Sequence, residues 1–298
     1  MVKPKISILI TSKDNSKKLN NLLASIKAQT LKCIETILID DGSTPPYQNI
    51  EVSKIIRNET SIGCIKSRNK LGKIGLGDYF FFVDDDVVLP DESFLERSIK
   101  LLEDHPDCGV LAFGQSIPGI GENCLQPNTS TNLCYCATYF GWTHCFRADV
   151  WRSSGGLCEL FDYGYEETEH SLRLLDNGIK ILYDPKLKVI HDSYSKSKKL
   201  DLRRNQNLRN NLLADLLRHH LSTLPRVIWH GFKRIYLENR RSGVGVWKSL
   251  GWCFWAGADS FSKIMKILRL RKPVNRNTIK KAYLLTEPPF FHPPQFPV

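Results

Sequence analysis

Three consecutive carboxylates, Asp84-Asp85-Asp86, follow an unbroken apolar run, Tyr79-Phe80-Phe81-Phe82-Val83. Acids crowded at the end of a buried strand repel one another unless a cation or solvent relieves them. Mg²⁺ and Mn²⁺ prefer oxygen ligands, keep positions open for water and readily bridge carboxylates to a diphosphate. Two readings stand. Either these residues hold a divalent cation that neutralises a departing phosphate as a Lewis acid, or they form a solvated acidic turn. A second pair, Asp40-Asp41, closes another apolar run and precedes Gly42-Ser43. It is either a further acidic contribution to the same edge or an Asp-Gly type I turn.

The elements that must position these acids follow from periodicity. Ile6-Ser7-Ile8-Leu9-Ile10 reads as a buried strand, and Leu19, Leu22, Leu23 and Ile26 then fall at helical spacing. Ile34 to Ile39 is a second strand, Ile55-Ile56 marks a third, and Tyr79 to Val83 is a fourth. Pro90-Asp91 is predicted to open a helix whose Phe94, Leu95, Ile99 and Leu102 share one face. Short strands alternating with amphipathic helices predict an α/β fold built on a mostly parallel sheet. In such sheets ligands bind at the carboxyl edge, where both acidic clusters fall.

The chain of 298 residues, 42% hydrophobic, is long enough for one large α/β domain and a smaller appendage. Met1 to Lys5 leads straight into a five-residue apolar run, which is no secretory signal. Nine cysteines at scattered positions, Cys134 and Cys136 alone being near neighbours, suit reduced thiols in the cytoplasm and offer no zinc site. The net charge of +11 is uneven: residues 1 to 195 carry 21 Lys and Arg against 26 Asp and Glu, whereas residues 196 to 298 carry 21 against 5. That basic tail implies an anionic partner, nucleic acid or membrane.

Four stretches in order, Ile6 to Asp14, Ile39-Asp40-Asp41-Gly42-Ser43-Thr44, Gly63-Cys64-Ile65-Lys66-Ser67-Arg68-Asn69 and Phe82-Val83-Asp84-Asp85-Asp86, resemble the successive signatures of family 2 glycosyltransferases with the GT-A fold. The resemblance implies a nucleotide-sugar donor, UDP- or dTDP-linked, a divalent Mn²⁺ or Mg²⁺ and an inverting displacement at the anomeric carbon of a hexose-type sugar. Carried over by motif, Thr11, Asp40, Asp41, Arg68, Asp84 and Asp85 fall to the donor. Asp84 and Asp86 match the Asp-x-Asp pair, with Asp86 as the chief metal ligand. Gly155-Gly156-Leu157 followed by Gly164-Tyr165-Glu166-Glu167 resembles the Gly-Gly segment and the Glu-Asp motif that supplies the base. Glu167 then stands at the aspartate position, one methylene longer, and Glu166 is able to share its role. The same acids would also suit a helix N-terminus on dipole grounds alone. Val189-Ile190-His191 resembles the strand and histidine that follow, which makes His191 a metal or diphosphate ligand or a structural histidine. Trp142 and His144 fall where acceptor-facing residues, or core, are expected.

The resemblance covers residues 4 to 195, and a GT-A domain over 1–198 with a helical region over 199–298 is the expected division. In the latter, Leu208, Leu212, Leu216 and Leu213, Leu217, Leu221 form two adjacent helical rows, with Arg209, Asn210 and Arg218 off them. Arg203-Arg204-Asn205 and Leu208-Arg209-Asn210 are similar to a helix of rhamnosyltransferase-like members. The uncharged run Ser249 to Ala258 is too short to span a bilayer, which needs about 20 residues. Basic residues interleaved with Trp and Phe instead suit peripheral attachment to an anionic surface, the cytoplasmic face of the inner membrane, and a glycan or lipid-linked acceptor of cell-surface polysaccharide synthesis. Three other classes were weighed: an inactive sugar-nucleotide binder, a nucleic-acid binder and a nucleotidyltransferase. Nucleic acid leaves the acidic clusters unexplained, and a nucleotidyltransferase lacks its glycine-rich loop at Thr11-Ser12-Lys13-Asp14.

Overall fold

A computed structural model of the chain describes residues 3–119, 121–122, 126–192, 200–241 and 243–285. The proline-rich stretch 288–298, expected to be irregular, lies outside the described residues.

β1 (Ile6–Ser12) leads through α1 (Ser16–Lys27) to β2 (Ile34–Asp40) and β3 (Lys54–Arg57), and α2 (Cys64–Ile74) brings the chain to β4 (Tyr79–Asp84). These strands lie parallel in the order β3-β2-β1-β4. Their apolar residues alternate between two buried faces: Ile8, Ile10 and Phe81 enter one core layer, Leu9, Phe80 and Phe82 the other. Burial on both faces explains why these strands read as continuous apolar runs.

The second half of the sheet is mixed. β5 (Val87–Val88) and α3 (Phe94–Asp104) are followed by β6 (Cys108–Ile117), β7 (Gly121–Glu122), β8 (Cys134–Cys136), β9 (Thr143–Arg147), α4 (Ala148–Ser154), α5 (Glu166–Asp176) and β10 (Lys180–His191). β9 runs antiparallel between β4 and β6, β10 lies parallel to β6, and β5 closes the edge antiparallel to β10. Pro90-Asp91 does not itself start the helix. Asp91 accepts hydrogen bonds from the backbone and hydroxyl of Ser93, and α3 begins at Phe94.

Helices α1 and α3 cover one face, while α2, α4, α5 and α6 (Leu200–Arg218) cover the other. Gly72 lets α2 meet α4 closely, because a Cβ there would lie 1.9 Å from the Trp151 indole nitrogen. Both leucine rows of α6 are used: Leu208 and Leu212 are buried, as are Leu213 and Leu217, whereas Leu221 lies past the helix end and is exposed. Leu213, Ala214 and Leu217 join the same core as Phe80 and Phe82, so α6 packs directly on the sheet-bearing part of the molecule. The chain ends in α7 (Leu224–Arg241), α8 (Val246–Ser262), α9 (Ile264–Leu270) and α10 (Arg276–Leu285). Among the described residues no helix is long and apolar enough to cross a membrane, and the cysteines are free thiols.

Candidate active site at the carboxyl edge of the sheet

A cleft of about 850 Å³ opens where β1, β2 and β4 end, and its walls include Thr11, Asp41, Arg68, the three aspartates 84–86, Trp142, Glu166, Glu167 and His191. The parallel register brings the acids together. Thr11 pairs with Asp84 across β1 and β4, and Ser12 with Asp40 across β1 and β2.

The three aspartates do different things. Asp84 accepts a hydrogen bond at 2.6 Å from Arg68, whose other terminal nitrogen lies 3.3 Å from Glu166. Arg68 is buried and spans the two acidic clusters, so it is a tie between them. Burial raises Asp84 above its ordinary value, and the Arg68 charge opposes that shift. Asp85 turns toward β1, accepting from the Ser12 hydroxyl at 2.5 Å and the Asn15 amide at 2.7 Å. Burial still pushes its carboxyl up to about 6. Asp86 faces His191, with Oδ1 and Nε2 3.1 Å apart.

Asp84, Asp86 and His191 each offer a ligand atom within 4.8 Å of the others. Pairing between β5 and β10 sets this: His191 lies opposite Val87, and the Asp192 amide donates to the Asp86 carbonyl at 2.9 Å. The donor chemistry fits a divalent cation. His191 Nδ1–H donates to the side-chain oxygen of the buried Gln115 at 2.5 Å, which turns Nε2 toward the Asp86 carboxylate. Nε2 and the Asp86 oxygen are thereby held at a separation that one bound cation can join. At bonds of roughly 2.1 Å to octahedral Mg²⁺, adjacent ligands sit about 3 Å apart, close to the 3.1 Å of the Asp86–His191 pair. Gln115 is thus a supporting residue that sequence reading passed over.

Asp40 and Asp41 part company. Burial disfavours the charge on both, yet the donors around them outweigh it and hold both below the usual carboxylate range. Asp40 is buried, bound to the Ser43 amide at 2.9 Å and to Arg57 at 2.6 Å, and is not on the cleft wall. Asp41 is on the wall, but its oxygens accept from Asn58, Ser61 and the Ile62 and Gly63 amides, fixing the loop that starts α2. The acceptor-side pair also separates. Trp142 lines the cleft, stacked on Phe140 at 4.2 Å, with its backbone oxygen accepting from the Asp84 amide. His144 lies in the aromatic core at 1% exposure, 5.1 Å from the Phe82 ring, and burial pushes its pKa down to about 3.

Glu166 and Glu167 open α5, immediately after Gly164 and Tyr165, both of which have left-handed backbones at φ 79° and 67°. A tyrosine held there is uncommon, and such conformations persist where surroundings enforce them. Burial, then the charge of Glu166, raises Glu167 well above the usual carboxyl range, and one oxygen of each glutamate has no hydrogen-bond partner. The enforcing contacts come from α6. The Asn210 amide donates to the Tyr163 and Gly164 carbonyls at 2.7 and 2.9 Å, and Arg209 pairs with Asp162 at 2.8 Å while donating to Asn210. One turn along α5, the buried Glu169 is held by Arg218 at 2.5 Å and Arg173 at 2.9 Å. In the sequence Arg209, Asn210 and Arg218 stood off the leucine rows, and Arg209 and Asn210 also belonged to the stretch similar to rhamnosyltransferase-like members, but nothing there pointed to the loop before α5. The wall across from the sheet is completed by Ile279, Ala282 and Tyr283 of α10, for which the sequence held no signal.

Residues 7–143 match the model of glycosyl transferase family 2. The resemblance to family 2 glycosyltransferases drawn from the sequence therefore holds, carried by that segment. Two uncharacterized glycosyltransferases of Haemophilus influenzae are similar. One is 30% identical over 113 residues, covering 36% of this chain and 37% of the relative. The other is 28% identical over 196 residues, covering 55% and 58%. The chain thus spans less than two thirds of either relative. Among solved structures, S. aureus TarS in complex with UDP-GlcNAc superposes with a TM-score of 0.61 at 15% identity, covering 89% of this chain and 83% of that one. The mannosyltransferase PcManGT from Pyrobaculum calidifontis, in complex with GDP-Man and Mn²⁺, gives 0.57 at 13%, covering 96% and 85%. These likenesses speak for the fold, which is of the GT-A type.

Proposed function

We propose that the chain is an inverting, divalent-cation-dependent glycosyltransferase that moves a sugar from a UDP- or dTDP-linked donor to a glycan or lipid-linked acceptor at the cytoplasmic face of a membrane. One observation carries the reading: a ligand set of Asp84, Asp86 and His191 shares a single cleft with Glu167, a carboxyl raised by burial and by its neighbour. Asp84, Asp86 and His191 would hold the cation, which when bound offsets the charge of the leaving diphosphate. Thr11 and Asp41 stand on the wall assigned to the nucleoside. Glu167 takes the proton of the acceptor hydroxyl as its oxygen bonds to the anomeric carbon and the bond to the diphosphate breaks. A raised pKa suits that task, since a base poised nearer to neutrality accepts the proton more readily. Arg68 holds Asp84 and Glu166 at fixed separation, so the cation and the base keep their relative places.

The test is a thermal-shift panel of UDP, dTDP, GDP and CDP with and without Mn²⁺, on the native chain and on Asp86→Ala, followed by turnover with sugars of whichever nucleotide binds. A ligand at a hundredfold excess over its Kd adds about 2.7 kcal/mol. Metal-dependent stabilisation by one nucleotide, absent in Asp86→Ala, is expected. No shift with any nucleotide overturns the proposal.

A further inference from the structure

The side of α8 turned away from the protein is more apolar than the side turned toward it. Trp247, Phe254 and Phe261 recur every seven residues and are 85%, 81% and 75% exposed. Seven residues are nearly two helical turns, so the three rings form one stripe along the helix. Ser249, Ala256 and Ser260 are buried on the other side, where Ala256 meets Leu208 of α6 and Ile235 of α7. The stripe continues into α9, where Met265 and Leu268 are exposed and Ile267 is buried.

Charge surrounds the stripe with one sign. From α7 to α10 the sequence carries fourteen Lys and Arg against Glu238 and Asp259. Asp259 is drawn to Lys263 at 2.5 Å and to Arg209 at 3.7 Å, on the side away from the aromatic stripe. Lys248 lies on α8 with the rings, and Lys266 and Arg269 lie on α9 with Met265 and Leu268. An exposed aromatic row is a liability in water, and a cationic border is a liability to self-association, because a second copy would bring like charges together. An anionic bilayer surface suits both features, taking the rings among its acyl chains and the lysines among its headgroups.

We propose that the α8–α9 face docks the protein onto anionic lipid, with Trp247, Phe254 and Phe261 inserted at the interface. The inference deepens the peripheral placement proposed above by naming the surface responsible. It requires no transfer chemistry, so its failure and that of the transferase reading are separable.

The test is flotation of the full chain with vesicles of phosphatidylcholine alone and of phosphatidylcholine with 30% phosphatidylglycerol, with nucleotide binding measured in parallel. Binding to the anionic vesicles, weakened at least tenfold by 0.5 M salt, is expected. The triple change Trp247→Ser, Phe254→Ser, Phe261→Ser should reduce partitioning at least tenfold while melting temperature and nucleotide binding stay unchanged. Lys248→Glu with Lys266→Glu supplies a second variant that leaves the rings intact, with the same expected loss on anionic vesicles. Absence of binding to either vesicle, or binding that neither variant weakens, overturns the proposal. So does a dimer in solution that the triple change dissociates, which would assign the stripe to a second copy.

Discussion

His191 Nε2 and Asp86 Oδ1 stand 3.1 Å apart because β5 and β10 pair antiparallel at the cleft, with His191 ending β10 and Asp86 directly preceding β5. His191 Nδ1 donates to the Gln115 side-chain oxygen, which fixes the ring with Nε2 toward Asp86, the arrangement proposed to hold the cation. His191→Ala should therefore weaken Mn²⁺ binding at least tenfold, about 1.4 kcal/mol or more, and Gln115→Leu by a similar order through loss of ring orientation. Titration of Mn²⁺ followed by electron paramagnetic resonance reads both. Equal affinity in all three proteins would remove His191 from the ligand set.

With Glu167 as the proposed base, the rate of transfer should depend on pH in a definite direction. Burial and the Glu166 charge raise its pKa, and a base acts only when deprotonated. The kcat/KM profile should therefore rise with pH through a limb displaced above the ordinary glutamate value of about 4.3. Glu167→Gln should cost on the order of 10² to 10⁴ in turnover, remove that limb and leave donor binding unchanged. Unaltered turnover would assign the role elsewhere, with Glu166 as the next candidate.

Asn210 and Arg218 reach the site from α6 without themselves lining the cleft. Asn210→Ala removes both bonds to the loop before α5, and slower turnover at unchanged donor affinity is expected. Arg218→Leu leaves the buried Glu169 with Arg173 alone and should cost about 2 kcal/mol, the scale of hydrogen bonds to charged groups. Urea unfolding of both variants beside their kinetics separates the two effects.

Acid should destabilise the fold through two core histidines. Burial holds His144 down to about 3, and burial with the Arg173 charge holds His170 well below its usual value. His170 is spanned by the Tyr139 hydroxyl at 2.6 Å and the Ser154 hydroxyl at 2.8 Å. Below about pH 6.5 the unfolded chain takes up protons that these folded histidines refuse. Their contribution is fully present above that pH and is lost as pH falls, by about 1.4 kcal/mol per pH unit for each. Urea midpoints from pH 7.5 to pH 5 should show the decline, and His144→Phe should shallow it. A flat profile would contradict neutral burial.

At Gly72 the helix gives up propensity for contact. Alanine would ordinarily gain about 1 kcal/mol in a helix interior, but a Cβ here falls on the Trp151 indole. Gly72→Ala is expected to destabilise by about 1–3 kcal/mol, read by thermal unfolding.

The parallel half of the fold was legible because its strands are buried on both faces and their carboxyl ends carry acids. β6 and β9 were not, since Gly109 and Gly114 interrupt the first and β9 reads as a few residues between Trp142 and the following helix. Among the site residues, motif order singled out Asp84, Asp86, Glu167 and His191, which the fold gathers in one cleft. It could not tell Asp40 from Asp41, because adjacent residues point to opposite sides and only pairing with Arg57 shows which one turns inward. Nor could it tell Trp142 from His144: Trp142 precedes β9 and packs against the layer of Ile8 and Phe81, whereas His144 lies within β9 among Phe82 and Phe146 of the other layer. Contributions from Gln115, Asn210 and α10 depend on tertiary approach, which no local pattern encodes.

The cleft takes its aspartates from strand ends near the start of the chain, its glutamates from the start of α5, and part of its wall from Ile279, Ala282 and Tyr283 of α10. Tyr283 is 72% exposed, so that wall tolerates change at little cost to folding. A lineage carrying this architecture is free to revise what the cleft admits by drift along α10, while the residues proposed for bond making and breaking, at the sheet edge and the buried start of α5, stay under tighter constraint. Differences among relatives in acceptor choice should then accumulate in the last helix before they reach the first four strands.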